Sequence, residues 1–268
     1  MFDTRLNTDS HFFVSGQQLS GVDSLDIGYR NSASVLNPLG YSKGVTSISG
    51  PTSQEVSFSR NLIYSDPILD YTGSKLISGS VNYNGNSYGF RSGYLMSYSV
   101  NCAVNSIPKV STSVSVYDEM QTGLSASGAS PTTILIPSQG SISATCDNVT
   151  TNRVVGFDYS LTVNRKPYYT IGSEVPVEVK RISPINYSAS VQLEVDDAFL
   201  ESGYSFLGTG KNSKTVSFTI NGKDGTSIQS LAIPNACLIS EQLNTSSDGA
   251  IRLTLNYMGH NEWSVILR

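Results

Sequence analysis

The chain has 268 residues and a net charge of −4, and only 14% of its residues are charged. Globular domains average about 25% charged, so Ser, Thr, Asn and Gly must cover much of this surface, while regular Val, Ile, Leu, Tyr and Phe positions argue against disorder. The chain has no Lys/Arg run, which argues against a surface that grips nucleic acid, and no apolar run near the roughly 20 residues of a membrane-spanning helix.

Cys102, Cys146 and Cys237 form no CxxC pair and are odd in number. Neither a disulfide framework nor a zinc site is expected, and buried free thiols in a reducing cytoplasm are. Met1-Phe-Asp-Thr-Arg5 lacks a basic stretch followed by an apolar one, so no signal peptide is expected.

In chain order, residues 1–18 read as an N-terminal arm whose apolar cluster, Phe12 to Val14, is a docking point. From Leu19 the pattern alternates, the mark of half-buried antiparallel strands. Leu25, Ile27 and Tyr29 share one face, and Val56 and Phe58 another. Gly40 and Gly50-Pro51 mark turns. Residues 61–73 read as a loop with one helical turn at Ile68-Leu-Asp70. Asn84-Gly85 signals a hairpin. Tyr98, Val100, Cys102 and Val104 line one face of the next strand, and Val110, Thr112, Val114 and Val116 give the cleanest alternation in the chain.

Residues 119–133 read as a linker, and 132–146 as a strand or hairpin opening a second unit. There the pattern returns in degenerate form. Phe157, Tyr159, Leu161 and Val163 parallel Leu25 to Tyr29, and Gly172 lies 132 positions beyond Gly40. Pro184 follows Pro51 by 133, and Leu238-Ile-Ser240 follows Leu95-Met-Ser97 by 143. Val191, Leu193 and Val195 match the Val56 strand, and Ile251 to Tyr257 the Val110 strand. The offset grows by about ten, and the expected place for the insertion is 198–214. The expected division is an arm at 1–18, β domains at 19–118 and 134–258, the linker between them, and a tail at 259–268. The fold expected is all-β with minor helix, in two tandem antiparallel sandwich or barrel modules.

Candidate chemistry is sparse. His11 and His260 are the only histidines, and no G-x-S-x-G elbow accompanies them. His260 with Glu262 is a weak metal pair. Asp196-Asp197 reads better as a helix start, acids at the positive dipole end, than as catalytic carboxylates or calcium ligands. Trp263, Val265 and Leu267 alternate, as in an added strand. Tyr29, Tyr98, Tyr159 and Tyr257 are expected inward, while Tyr168-Tyr169 and Tyr83 or Tyr88 are the better exposed contacts. Neither an enzyme nor a cofactor is expected.

The ordered set of segments Gly93 to Val100, Ile107 to Tyr117, Tyr159 to Val163, Tyr169 to Gly172, Pro176 to Lys180, Ser188 to Val195, Ile233 to Ser240 and Arg252 to Asn256 resembles tail tube domains of tailed bacteriophages. The resemblance covers most of 19–258, twice over. It implies a β-sandwich or small barrel with one helix and a long loop. It also implies a virion protein assembled in the host cytoplasm into stacked rings, hexameric or trimeric and pseudo-hexameric, through which genome DNA passes. Partners implied are other copies and other tail proteins (tape measure, terminator, distal tail), with no membrane. The residues expected at inter-subunit contacts are Asp66, Leu69, Tyr71, Phe199, Tyr204, Phe206 and Trp263. A mildly acidic lumen suits DNA passage, since clustered cations would hinder it. A tail-tip or neck ring of the same fold, or a receptor- or carbohydrate-binding tail adhesin, is the alternative; a polysaccharide hydrolase is a distant third.

Overall fold

A computed structural model describes residues 11–30, 33–36, 39–40, 45–48, 51, 53–83, 86–117, 119–124, 135–146, 153–196, 199, 214–245 and 251–261. The protein is nearly all β, with a large antiparallel sheet. In the first half the strands are β1 (His11–Val14), β2 (Gln17–Leu19), β3 (Val22–Arg30), β4 (Ala33–Leu36), β5 (Val45–Ile48), β6 (Ser53–Asn61), β7 (Ile77–Tyr83), β8 (Asn86–Ala103) and β9 (Lys109–Val116). A short β10 (Gln121–Thr122) follows. The second half contains β11 (Pro137–Cys146), β12 (Val154–Thr162), β13 (Arg165–Tyr168), β14 (Glu178–Arg181), β15 (Asn186–Glu194), β16 (Lys214–Gly222), β17 (Ser227–Thr245) and β18 (Ile251–His260). The Asn84-Gly85 turn and most of the 119–133 linker lie outside the described residues.

The pairings of the first half recur in the second. β3 pairs β6, β6 pairs β9, β9 pairs β8, β8 pairs β7 and β7 pairs β1. Likewise β12 pairs β15, β15 pairs β18, β18 pairs β17, β17 pairs β16 and β16 pairs β11. A two-stranded ribbon, β4–β5 or β13–β14, separates the first two strands of each set. Even the bulges coincide. The register slips between Val22 and Ser24 and between Val154 and Gly156; it slips again between Leu95 and Ser97 and between Leu238 and Ser240. Gly40 and Gly172 both hold φ near +90°, where a glycine pays no Cβ penalty.

Two expectations need correction. Residues 11–19 are no arm: β1 completes the β7 layer, and Phe12, Phe13 and Val14 are buried. Phe12 meets Phe58 of β6 edge-on at 5.0 Å, so the β1–β7 layer closes over the β3–β6–β9 layer. The insertion in the second half is also placed differently. Val56 corresponds to Ala189, 133 positions on, whereas Gly79 corresponds to Val216, 137 on, and Phe90 to Ile233, 143 on. Four extra residues therefore precede β16, and six lengthen the β16–β17 hairpin. Gly- and Ser-rich composition marks the less extended of the two sites.

One hydrophobic core runs through both halves, from Phe12, Phe58 and Leu95 to Phe157, Phe218 and Leu255. It forms because alternate residues of each strand face inward. The long strands β8 and β17 each serve two layers. Gly93 sits where β8 passes from β7 to β9, and a Cβ there would stand 2.6 Å from the Phe90 ring and 2.7 Å from Val114. The second-half equivalent is Ala236, whose Cβ is accommodated and buried.

Candidate assembly edges and polar face

The two halves join where β12 adds to β8. Seven residue pairs run from Gly156 opposite Ala103 to Thr162 opposite Ser97. Val104 N–H donates to Val155 O and Val163 N–H to Met96 O, extending the ladder at both ends. On the core face this joint buries Phe157, Tyr159 and Leu161 against Cys102, Val100 and Tyr98. On the other face Asn101 Nδ2 donates to Asp158 Oδ1. Arg165 clamps the joint: its Nε donates to Leu95 O and its Nη2 to Gly73 O, over the ring of Tyr94.

The same topology leaves two matching edges open. Among the described residues β3, the counterpart of β12, pairs only with β6. The stretch 239–245 of β17, the counterpart of the joint-forming stretch of β8, pairs only with β18. Apolar side chains at these edges lie uncovered. Ile27 is 43% exposed and Tyr29 66%, while their counterparts Tyr159 and Leu161 are 3% and 2%. Leu243 is 50% exposed, against 1% for its counterpart Val100. Of the four tyrosines expected inward, Tyr98, Tyr159 and Tyr257 are buried. Tyr29 is not, because no described strand lies beyond β3. A groove of about 450 Å³ follows β3 from Gly21 to Leu25. The corresponding cavity beside β12, about 190 Å³, is walled by Cys102 and Ala103 of β8 and by Val104 just beyond it.

The face of the sheet turned away from the core is mainly polar across both halves, with the exposed Met258 of β18 next to Ser188 on it. One row of opposed residues reads Ser24, Ser59, Ser111, Ser99, Ser160 and Ser188, across β3, β6, β9, β8, β12 and β15. The next reads Asp26, Ser57, Ser113, Ser97, Thr162 and Asn186. Several of the groups bond to one another: Ser24 with Ser59 at 2.7 Å, Ser160 with Ser188 at 2.7 Å, Ser113 to Glu55 at 2.8 Å and Asn256 to Ser240 at 2.8 Å. Its charges are few and mixed, including Asp26, Glu55, Asp158 and Glu194 with Arg30, Lys109 and Arg252.

Of the four described residues expected at inter-subunit contacts, three are buried. The segment 62–73 folds under the sheet, and Pro67–Tyr71 forms a 3-10 turn capped by Asp66, whose Oδ1 accepts from Ile68 N–H at 2.9 Å. Asp66 Oδ2 lies 2.6 Å from Arg60 Nη2, both side chains fully buried, and Tyr98 donates to it at 3.1 Å. Burial alone would lower the Arg60 pKa, but Asp66, with Tyr64 and Tyr98, reverses this and keeps the guanidinium charged. Burial, then Asp66, raises Tyr98, which stays a neutral donor. Tyr71 and Phe199 are also buried, and Leu69 is half-buried against the core. Asp66, Tyr71 and Phe199 thus have no surface to offer a neighbouring subunit. The 62–73 loop meets the other half of its own chain instead, through Gln229, Arg165 and Arg181. Tyr204, Phe206 and Trp263 lie outside the described residues. Sequence reasoning does not mark Asp26, Ile27, Leu243 and Asn244 as residues of the two open edges. A signal for them exists: Asp26 and Asp158 are 132 apart, and Asn101 and Asn244 are 143 apart.

Among the described residues no other group of side chains assembles into a chemical site. No cluster of three metal-ligating side chains occurs among the described residues. Phe199 N–H donates to Asp196 Oδ1 at 2.8 Å, the contact that a helix N-cap makes, while Asp197 and Glu262 lie outside the described residues. Tyr88, Tyr168 and Tyr169 are exposed but do not form one aromatic platform: Tyr168 stands over Lys166 and Lys180. Burial pushes the Cys102 thiol up to about 11, helped by Asp158, and the Cys146 thiol up to about 11. At a pH of about 8 both are then almost wholly protonated, so iodoacetamide is expected to label the half-buried Cys237 well before either. Peptide mass spectrometry of briefly alkylated native protein checks this.

Comparison with models of known protein families gives no match to this chain, and comparison with characterised proteins gives none either.

Proposed function

We propose that the protein is a structural subunit of a hollow assembly, most specifically a tail tube subunit of a tailed bacteriophage virion, whose rings stack around a channel for DNA. The observation that carries this reading is the polar face. It is a broad wall, mainly of hydroxyl and amide groups, some of which bond to one another, with sparse, mixed charge. Duplex DNA is held by arrays of cations that release its counterions. A wall without such an array lets a polyanion slide past, and those of its hydroxyls that bond to one another offer fewer donors to phosphate. Partners on this reading are further copies and the tape measure, terminator and distal tail proteins, and assembly takes place in the host cytoplasm. A tail-tip or neck ring would use the same wall.

Negative-stain electron microscopy of concentrated purified protein tests the proposal. Hollow rings or tubes that do not retain duplex DNA at physiological salt are expected. Solid aggregates, or particles that bind DNA tightly, would contradict a conduit.

A further inference from the structure

We infer that copies of this chain join head to tail by strand addition, β17 of one copy pairing antiparallel with β3 of the next in the register of the internal β8–β12 joint. The inference rests on the subunit reading above and supplies its contact surface.

The internal joint is a worked example of the contact. Its two strands have counterparts that occupy the same places in the repeated topology and carry the same bulges, yet have no partner strand on that side among the described residues. Transferring the register sets Leu25 opposite Thr245, Asp26 opposite Asn244, Ile27 opposite Leu243, Gly28 opposite Gln242 and Tyr29 opposite Glu241. Three features of the residues fit this alignment. Ile27 and Leu243, each about half exposed alone, cover each other on the core face, as Tyr159 and Val100 do. Asp26 and Asn244 reproduce the Asp158 and Asn101 pair, side chain for side chain, on the polar face. Thr245, the counterpart of Cys102, comes to lie beside the groove at β3, as Cys102 lies beside the cavity at β12.

The hydrogen-bond phase agrees. Val104 with Val155 and Met96 with Val163 are bonded pairs, so alternation makes Asn101 with Asp158 a non-bonded pair, where opposed side chains come closest. Asp26 and Asn244 inherit that position. The contact is heterologous, so copies added this way close into a ring or continue as a filament, and either result removes both exposed edges.

Disulfide trapping reads the register, because opposed non-bonded pairs fall within disulfide reach. In a Cys237→Ser background, Asp26→Cys with Asn244→Cys is expected to give a ladder of covalent multimers on mild oxidation. Asp26→Cys with Gln242→Cys, one pair out of phase, is expected to give about tenfold less, since its Cβ atoms stand too far apart. Amide exchange of the unaltered assembly is an independent readout, with protection gained at Ser24–Arg30 and Ser240–Thr245. Rings that trap out of phase, or keep both edges exchanging as fast as in the monomer, would overturn the inference and leave the ring reading standing. An unaltered chain that stays monomeric at every concentration would overturn both.

Discussion

Ile27→Asp is expected to abolish self-association at concentrations where the unaltered chain assembles, with no loss of fold. Ile27 lies on an edge strand and is 43% exposed, so a carboxylate there remains hydrated in the isolated chain. In the joint it would face Leu243 on the core face, where its charge loses water and finds no cation. Burying a polar group without a partner costs about 1–3 kcal/mol and a charge costs more. A tenfold loss of affinity is about 1.4 kcal/mol, so association is expected to fall by about 100-fold or more. Sedimentation velocity measures this, with circular dichroism as the control for folding. An Ile27→Asp chain that assembles as before would place the contact elsewhere.

Asp66→Ala is expected to act on stability, without reference to any second copy. It leaves the Arg60 guanidinium buried with no carboxylate and removes the cap on Ile68 N–H and the acceptor of Tyr98 O–H. Removing one partner of a buried ion pair costs about 3–5 kcal/mol. The second half shows how the same place is filled without charge, because Arg60 corresponds to Leu193, which is 1% exposed. Arg60→Leu with Asp66→Asn should therefore regain most of the loss, since the amide introduced at position 66 retains an oxygen that can cap the turn. Urea unfolding of both variants checks this. If Asp66→Ala costs less than about 1 kcal/mol, the pair does not anchor the loop as a buried ion pair should.

Much of the architecture is legible in the sequence because a strand writes its inner face as a period of two. Val110 to Val116 and Phe157 to Leu161 alternate and are buried as the alternation requires. The match of Leu95-Met-Ser97 to Leu238-Ile-Ser240 falls on equivalent bulges, an irregularity in the pairing that two distant stretches share. Periodicity is blind to neighbours, however. Leu25, Ile27 and Tyr29 carry the same pattern as Phe157, Tyr159 and Leu161, and only the presence of β8 beside the second set decides which is buried. The same blindness puts Phe12 to Val14 in an arm, since three adjacent buried residues in a short strand show no alternation. Asp66 of the 61–73 loop is expected at a subunit contact because its burial depends on Arg60, a cation on the inward face of β6 to which alternation alone assigns no role.

The most direct test mixes two blocked chains. Ile27→Asp spoils only the β3 edge and Leu243→Asp only the β17 edge, so each alone is expected to remain monomeric. Mixed in equal amounts they retain one intact pair of edges, β17 of the first variant against β3 of the second. Sedimentation velocity is predicted to show a heterodimer of one copy of each that grows no further. Two unmixed monomers, or assembly of either variant alone, would contradict head-to-tail joining.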